Sequence, residues 1–206
     1  MREKVLVVPK SFLFSGQAIL QGFQRGRNWK LIKRIAAGSF FIPRHEAEKE
    51  PHYKQIITYL VLTHQNSVFL YQRIDASSEK RLLFKHSLGL GGHINPGPAR
   101  SFKELIALNL NRELREEIFL KGSYSHRFLG IVNDEETGVG KCHLGLVFLV
   151  TCSSAEAEIK EKGKLTGSFV PVSRLSSYQP CMESWSALLL PEISKIISGG
   201  GETGEA

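Results

Sequence analysis

The hexapeptide Arg112-Glu113-Leu114-Arg115-Glu116-Glu117 constrains this chain more than any other feature, because as a helix it would gather three carboxylates. At about 100° per residue, Glu113, Glu116 and Glu117 fall within an arc of roughly 100°, and Ala107, Leu110, Leu114 and Ile118 line the neighbouring apolar side. Such a helix is buried and acidic at once. Three carboxylates that close repel unless cations sit among them, and hard oxygen ligands with room left for water and phosphate suit Mg²⁺ or Mn²⁺. The alternative is a solvated face on which Arg112 and Arg115 pair with nearby glutamates. Nothing inside the hexapeptide separates the two.

The residues before it shift the balance. Ser101 and Glu104 have the spacing of a capping box, so a helix is expected from there to about Leu120, with Gly122 as its stop. Upstream, Gly89, Gly91, Gly92 and Gly97 would let a backbone approach a charged ligand, while the glycines and prolines of residues 91–97 argue against regular structure. Loop and carboxylates would then share one cleft.

Elsewhere, residues 56–63 and 67–73 read as a hairpin turning at His64-Gln65-Asn66, followed by a charged loop over residues 75–80. Residues 128–132 and 144–150 read as strands flanking a polar loop, 133–141, and 169–172 as a short further strand. Residues 183–197 suggest a closing helix, bent or restarted at Pro191. Residues 1–53 mix short apolar and basic pieces, such as Arg25-Gly26-Arg27-Asn28-Trp29-Lys30, with no long periodic element. They read as an N-terminal extension packing on a domain of residues 54–197, with a flexible Gly- and Glu-rich tail at 198–206.

At 206 residues and 42% hydrophobic composition the chain suits one ordinary domain plus an appended segment. Its net charge of +7 favours an anionic partner without choosing among nucleotide, polyphosphate, nucleic acid and membrane surface. Cys142, Cys152 and Cys181 are an odd set without CxxC spacing, which indicates neither a disulfide framework nor a zinc ribbon and fits a reducing cytoplasm. No apolar run has the length of a signal-peptide core or a membrane span, so a soluble cytoplasmic protein with no membrane partner is expected. A homodimer is admissible.

The hexapeptide and its glycine loop resemble the signature of the Nudix hydrolases, G-x5-E-x7-R-E-U-x-E-E-x-G-U, where U is aliphatic. Residues 112–120 match its second half at every defined position except the closing glycine, which is Phe119 here. Gly91-Gly92 looks like the family's double glycine, but the glutamate expected six residues after Gly92 is Pro98, and thirteen residues separate Pro98 from Arg112 where the box has seven. Glu104 stands at the x7 distance from Arg112, yet lies about 180° round the helix from Glu113, which suits capping better than metal binding. A helix beginning about one turn early would accommodate the stretch and keep the same face toward the loop. Phe119 would then be a last-turn residue packing inward.

The resemblance implies a Nudix-type α/β/α sandwich with a mixed β-sheet and a catalytic loop-helix. It implies Mg²⁺ or Mn²⁺ held by Glu113, Glu116 and Glu117, with Glu113, Glu116 and Arg112 in catalytic roles, Arg112 by orienting the carboxylates. Gly91, Gly92 and His93 would meet substrate, a nucleoside diphosphate linked to a group X or a related organic pyrophosphate, although His93 could equally fix the loop. The general base could be a helix glutamate, an acid of Asp134-Glu135-Glu136, or Glu183; Trp185 beside it could stack on a base or belong to the core. His64, His86, His126 and His143 could be satisfied strand or turn histidines. Arg25 to Arg34 with Trp29 could cover a nucleotide or bind RNA, or be a solvated surface, as could Lys85. Two other readings stay open: a catalytically silent Nudix-fold module that binds a nucleotide or partner, and a nucleic-acid-binding protein.

Overall fold

The computed structural model describes residues 3–75, 83–160 and 163–199. Its strands are β1 (Lys4–Pro9), β2 (Gly22–Arg25), β3 (Phe40–Pro43), β4 (Tyr53–His64), β5 (Ser67–Arg73), β6 (His86–Ser87), β7 (Gly89–His93), β8 (Ile118–Leu120), β9 (Tyr124–Asn133), β10 (His143–Cys152), β11 (Ala157–Ile159) and β12 (Leu165–Pro171). Its helices are α1 (Lys10–Leu13), α2 (Trp29–Gly38), α3 (Arg44–Ala47), α4 (Phe102–Glu117), α5 (Gly138–Cys142) and α6 (Ser184–Ser198), with a 3-10 segment over Val172–Cys181. The fold is α/β, a mixed sheet with flanking helices, as expected. The chain divides into two compact units: Met1–Leu60, Leu90–Arg115 and Phe128–Phe148 form the first, and Val61–Gly89, Glu116–Arg127 and Leu149–Ala206 the second.

In the first unit the strand order is β4-β10-β9-β2, with β1 paired to β4 and β3 to β1. The run Val5-Leu6-Val7-Val8 is fully buried, because β1 lies between two antiparallel partners, with Val5 opposite Ile42 and Val7 opposite Gln55. The segment read as an extension thus contributes three strands and three short helices to the unit that holds the glycine loop. Helix α2 forms because Asn28 caps it, accepting from the Leu31 amide at 3.0 Å, and because Leu31 and Ile35, one turn apart, are buried on one face.

In the second unit the hairpin is as expected, with Thr63 opposite Val68 and His64 opposite Ser67 across a Gln65-Asn66 turn. Strand β12 pairs with β5 along its whole length, from Leu165 opposite Arg73 to Pro171 opposite Ser67. Helix α6 runs as one element through Pro191 and buries Trp185, Leu189, Leu190, Ile193 and Ile197. The expected loop at residues 75–80 and tail at 198–206 lie almost entirely outside the described residues.

Two expectations need correction. Gly91 and Gly92 belong to strand β7, because β4 supplies a partner that sequence cannot display: the Thr58 hydroxyl donates to the Gly92 carbonyl at 3.3 Å, and the Ile94 amide to the Ile56 carbonyl at 3.4 Å. Helix α4 stops at Glu117, one turn before Gly122. Its backbone is taken over by the β8–β11 ladder, where Ile118 faces Ile159 and the Lys160 amide donates to the Glu117 carbonyl at 2.9 Å. Phe119 therefore lies on a strand and is 60% exposed, not packed inward as a helical residue.

Candidate functional site

The start of α4 is fixed by a reciprocal cap. Ser101 Oγ accepts from the Glu104 amide at 3.2 Å, and the Glu104 carboxylate accepts from the Arg100 amide at 2.7 Å, one residue before the amide expected. Glu104 is thereby committed to capping. One turn further along, buried Asn109 locks the loop to the helix: its Oδ1 accepts from the Asn95 amide at 2.8 Å, and its Nδ2 donates to the Asn95 carbonyl at 3.0 Å. Asn109 was not among the sequence candidates. Its signal was a carboxamide on the buried face of α4, three residues from Ile106 and four from Glu113.

Glu113 is 6% exposed, and its carboxylate lies where a side chain on Gly92 would be: a Cβ there would meet Glu113 Oε2 at 1.9 Å. Any side chain at position 92 would force the Glu113 carboxylate to shift. Arg112 Nη2 donates to the His93 carbonyl at 2.6 Å and stands 3.6 Å from Glu113 Oε2, so it ties the loop strand to the helix beside the buried carboxylate. Arg112, Glu113, Gly92 and His93 are thus brought together. Gly91 is exposed, with Tyr59 and Ile57 at ordinary contact distances from where a Cβ would stand.

The His93 ring faces Gln55, with Nε2 2.9 Å from Oε1, and packs edge-on against His143 at 5.6 Å between centroids. Burial first, then the positive charges of Arg44, His143 and Arg112, pushes its pKa down to about 3. His93 is therefore neutral at physiological pH and holds its loop by a neutral hydrogen bond. Gln55, fully buried, is a second residue that sequence reading passed over.

Glu116 is exposed and Glu117 partly buried on the last turn of α4. Carboxylate oxygens match a hard cation in donor type, and the Gly92 cradle brings backbone against that of Glu113. Among the described residues no three His, Cys, Asp or Glu side chains are placed as a group that could hold a metal ion. Mg²⁺ does not need three such side chains, since it keeps waters and binds through one or two carboxylates together with substrate phosphates.

Three of the other acidic candidates are held by hydrogen bonds, and Glu136 is exposed. Asp134 accepts from the Glu136 amide at 2.9 Å and the Thr137 hydroxyl at 2.5 Å, and Glu135 accepts from the fully buried Lys54 ammonium at 2.6 Å. Glu183 caps α6, accepting from the Ser186 and Trp185 amides at 2.8 Å each and from the Ser186 hydroxyl at 2.5 Å. Trp185 is buried in the core of its unit. His64 meets the Cys152 carbonyl at 3.0 Å and His143 the Val139 carbonyl at 2.7 Å, as satisfied structural histidines do. The three cysteines form no disulfide. Among the described residues no helix is long and apolar enough to cross a membrane.

The chain matches no family model. It is 35% identical over 199 residues to Protein YmaB of Bacillus subtilis (strain 168), covering 92% of this chain and 97% of that protein. The crystal structure of Tm1382, assigned as a Nudix hydrolase, superimposes with a TM-score of 0.80 at 27% identity, covering 94% of this chain and 100% of the other. A Nudix hydrolase from Nitrosomonas europaea, at 17% identity and a TM-score of 0.50 over 68% of this chain and 86% of its own, shares the fold.

Proposed function

The chain belongs to the Nudix hydrolase family, and on that premise we propose that it hydrolyses the diphosphate linkage of a nucleoside diphosphate-X or related organic pyrophosphate with Mg²⁺ or Mn²⁺. The observation that carries this reading is the Glu113 carboxylate seated in the gap left by Gly92, with Arg112 bonded to the adjoining His93 carbonyl.

Glu113, Glu116 and Glu117 would hold the cation. Bound there, it would neutralise the substrate diphosphate and lower the pKa of an attacking water. The remaining work falls to the chain itself. Arg112 keeps Glu113 and the loop in fixed register, and neutral His93 with Gln55 holds the loop backbone toward the substrate without adding charge. In the reaction, water oxygen attacks phosphorus, the bridging P–O bond breaks with its electron pair going to the leaving phosphate, and the water proton passes to a carboxylate. We assign that carboxylate to α4, whose Glu113 lies against the glycine strand; Asp134, Glu135 and Glu183 are each held in other hydrogen bonds, and exposed Glu136 is the alternative base.

A panel of nucleoside diphosphate derivatives and nucleoside triphosphates, incubated with Mg²⁺ or Mn²⁺ and analysed for nucleoside monophosphate, tests this. Turnover that Glu116→Gln or Glu117→Gln abolishes supports the assignment. Metal-dependent turnover unchanged in both variants removes it, and no turnover across the panel favours the catalytically silent module.

A further inference from the structure

Eight of the chain's 27 Lys and Arg residues, and none of its 20 Asp and Glu residues, fall between residues 4 and 45, so the rest of the chain is close to neutral and the positive charge is local to this segment. Within it, Arg34 is committed to the Leu13 and Ser15 carbonyls at 3.0 and 2.7 Å, and Arg44 to Glu3 and Glu48 at 3.0 Å each. Arg27, Lys30 and Lys33 are exposed around the first turn of α2. Among them Trp29 is 56% exposed, with the Arg27 guanidinium carbon 5.4 Å from its ring centroid.

We propose that this face of α2 binds single-stranded nucleic acid, with Trp29 as the stacking platform and Arg27, Lys30 and Lys33 following the phosphates. Helical geometry makes one surface of these groups: Trp29, Lys33 and Lys30 lie within an arc of roughly 100°, about opposite Leu31 and Ile35. A large indole left half in water on a well-packed helix has apolar area to gain from a flat ligand, and Arg27 already holds one ring face against a cation. Base stacking on an aromatic flanked by cations tolerates sequence and needs an unpaired strand.

A lipid surface fits less well. A membrane-binding helix turns its apolar face to the bilayer, whereas α2 buries Leu31 and Ile35 in its own unit and presents its polar face outward. The surface shares no residue with the carboxylate site, so it stands whether or not the chain hydrolyses diphosphates.

Fluorescence anisotropy of a labelled single strand of about 12 nucleotides, titrated with the full chain carrying Glu116→Gln and without divalent metal, separates binding from hydrolysis. Log affinity should fall with log salt at a slope of about −2, because each of three phosphate contacts releases about 0.7 counterion from a single strand. Trp29→Ala should lower affinity on the order of 10-fold, with Trp29→Phe restoring most of it. Lys30→Glu with Lys33→Glu should flatten the salt slope. Circular dichroism confirms that each variant folds. Affinity unchanged in both Trp29→Ala and the double lysine variant overturns the proposal, as does tighter binding to phosphatidylglycerol vesicles than to the oligonucleotide.

Discussion

Glu113 and Glu135 are both carboxylates beside a cation in the same unit, and their surroundings differ in kind. Around Glu135 the donors converge: Lys54 donates to it at 2.6 Å and to the Gly140 carbonyl at 2.7 Å, and Asn133 adds a bond at 2.9 Å. Burial pushes Glu135 up, but the hydrogen bonds from Lys54 and Asn133 and the Lys54 charge hold it below the usual carboxylate range. Burial pulls Lys54 below its usual range against the opposing pull of Glu135. Glu113 instead lies against the Gly92 backbone, with Arg112 Nη2 in a looser ion pair at 3.6 Å. A tight pair of the first kind gives a loop its shape, whereas the second carboxylate is positioned by the missing side chain of a glycine.

The largest effect that sharpens this contrast is expected on stability. Lys54→Met, by stranding Glu135 and the Gly140 carbonyl, should cost about 3–5 kcal/mol in urea unfolding, while the folded fraction keeps its kcat. A variant that keeps its stability but loses turnover would reverse the roles assigned to the two acids. Next comes Gly92→Ala, whose added carbon would meet Glu113 Oε2 at 1.9 Å. Displacing that carboxylate by even about 1 Å should lower kcat/KM on the order of 100-fold. Turnover at the parent rate would show that Glu113 need not sit in the cradle.

A smaller loss is expected where the loop is tied down. Asn109→Leu leaves the Asn95 amide and carbonyl without their helix partner, which should cost about 1–3 kcal/mol. Asn109→Asp retains the acceptor for the Asn95 amide and should recover part of it. Equal losses in the two variants would mean that packing, not the paired bonds, holds the loop.

The smallest effect concerns pH. His93 stays neutral in the folded chain down to about 3 but protonates near 6.5 when unfolded, so unfolding takes up a proton between those values. Its contribution to stability is therefore full above pH 6.5 and is lost as the pH falls toward 3, at up to about 1.4 kcal/mol per pH unit. His93→Asn should show a shallower loss of urea midpoint between pH 6.5 and 5 than the parent chain. Parallel curves would place His93 in water in the folded state.

Much of the site could be read from residue order, because its signals are local. The capping pair Ser101 and Glu104, the helical phase of Glu113, Glu116 and Glu117, and the double glycine each depend on neighbours within a few turns of chain. What escaped depends on partners far away in sequence. Asn109 drew no role until Asn95 came within hydrogen-bond reach, and Lys54 and Gln55 lay just outside the strand read from residue 56, their partners Glu135 and His93 being distant in sequence.

By itself, then, the sequence carried the family and the α/β class through its resemblance to a known signature, and the carboxylate helix through periodicity and spacing. Tertiary structure alone decided that Gly91-Gly92 is strand, because β4 offers that backbone a partner, and that α4 ends at Glu117, because β11 claims the next three residues. It also decided how each acid is held. A carboxylate's neighbours in space set its hydrogen bonds and desolvation, and these separate Glu113 from Glu135 although both are glutamates beside a basic residue.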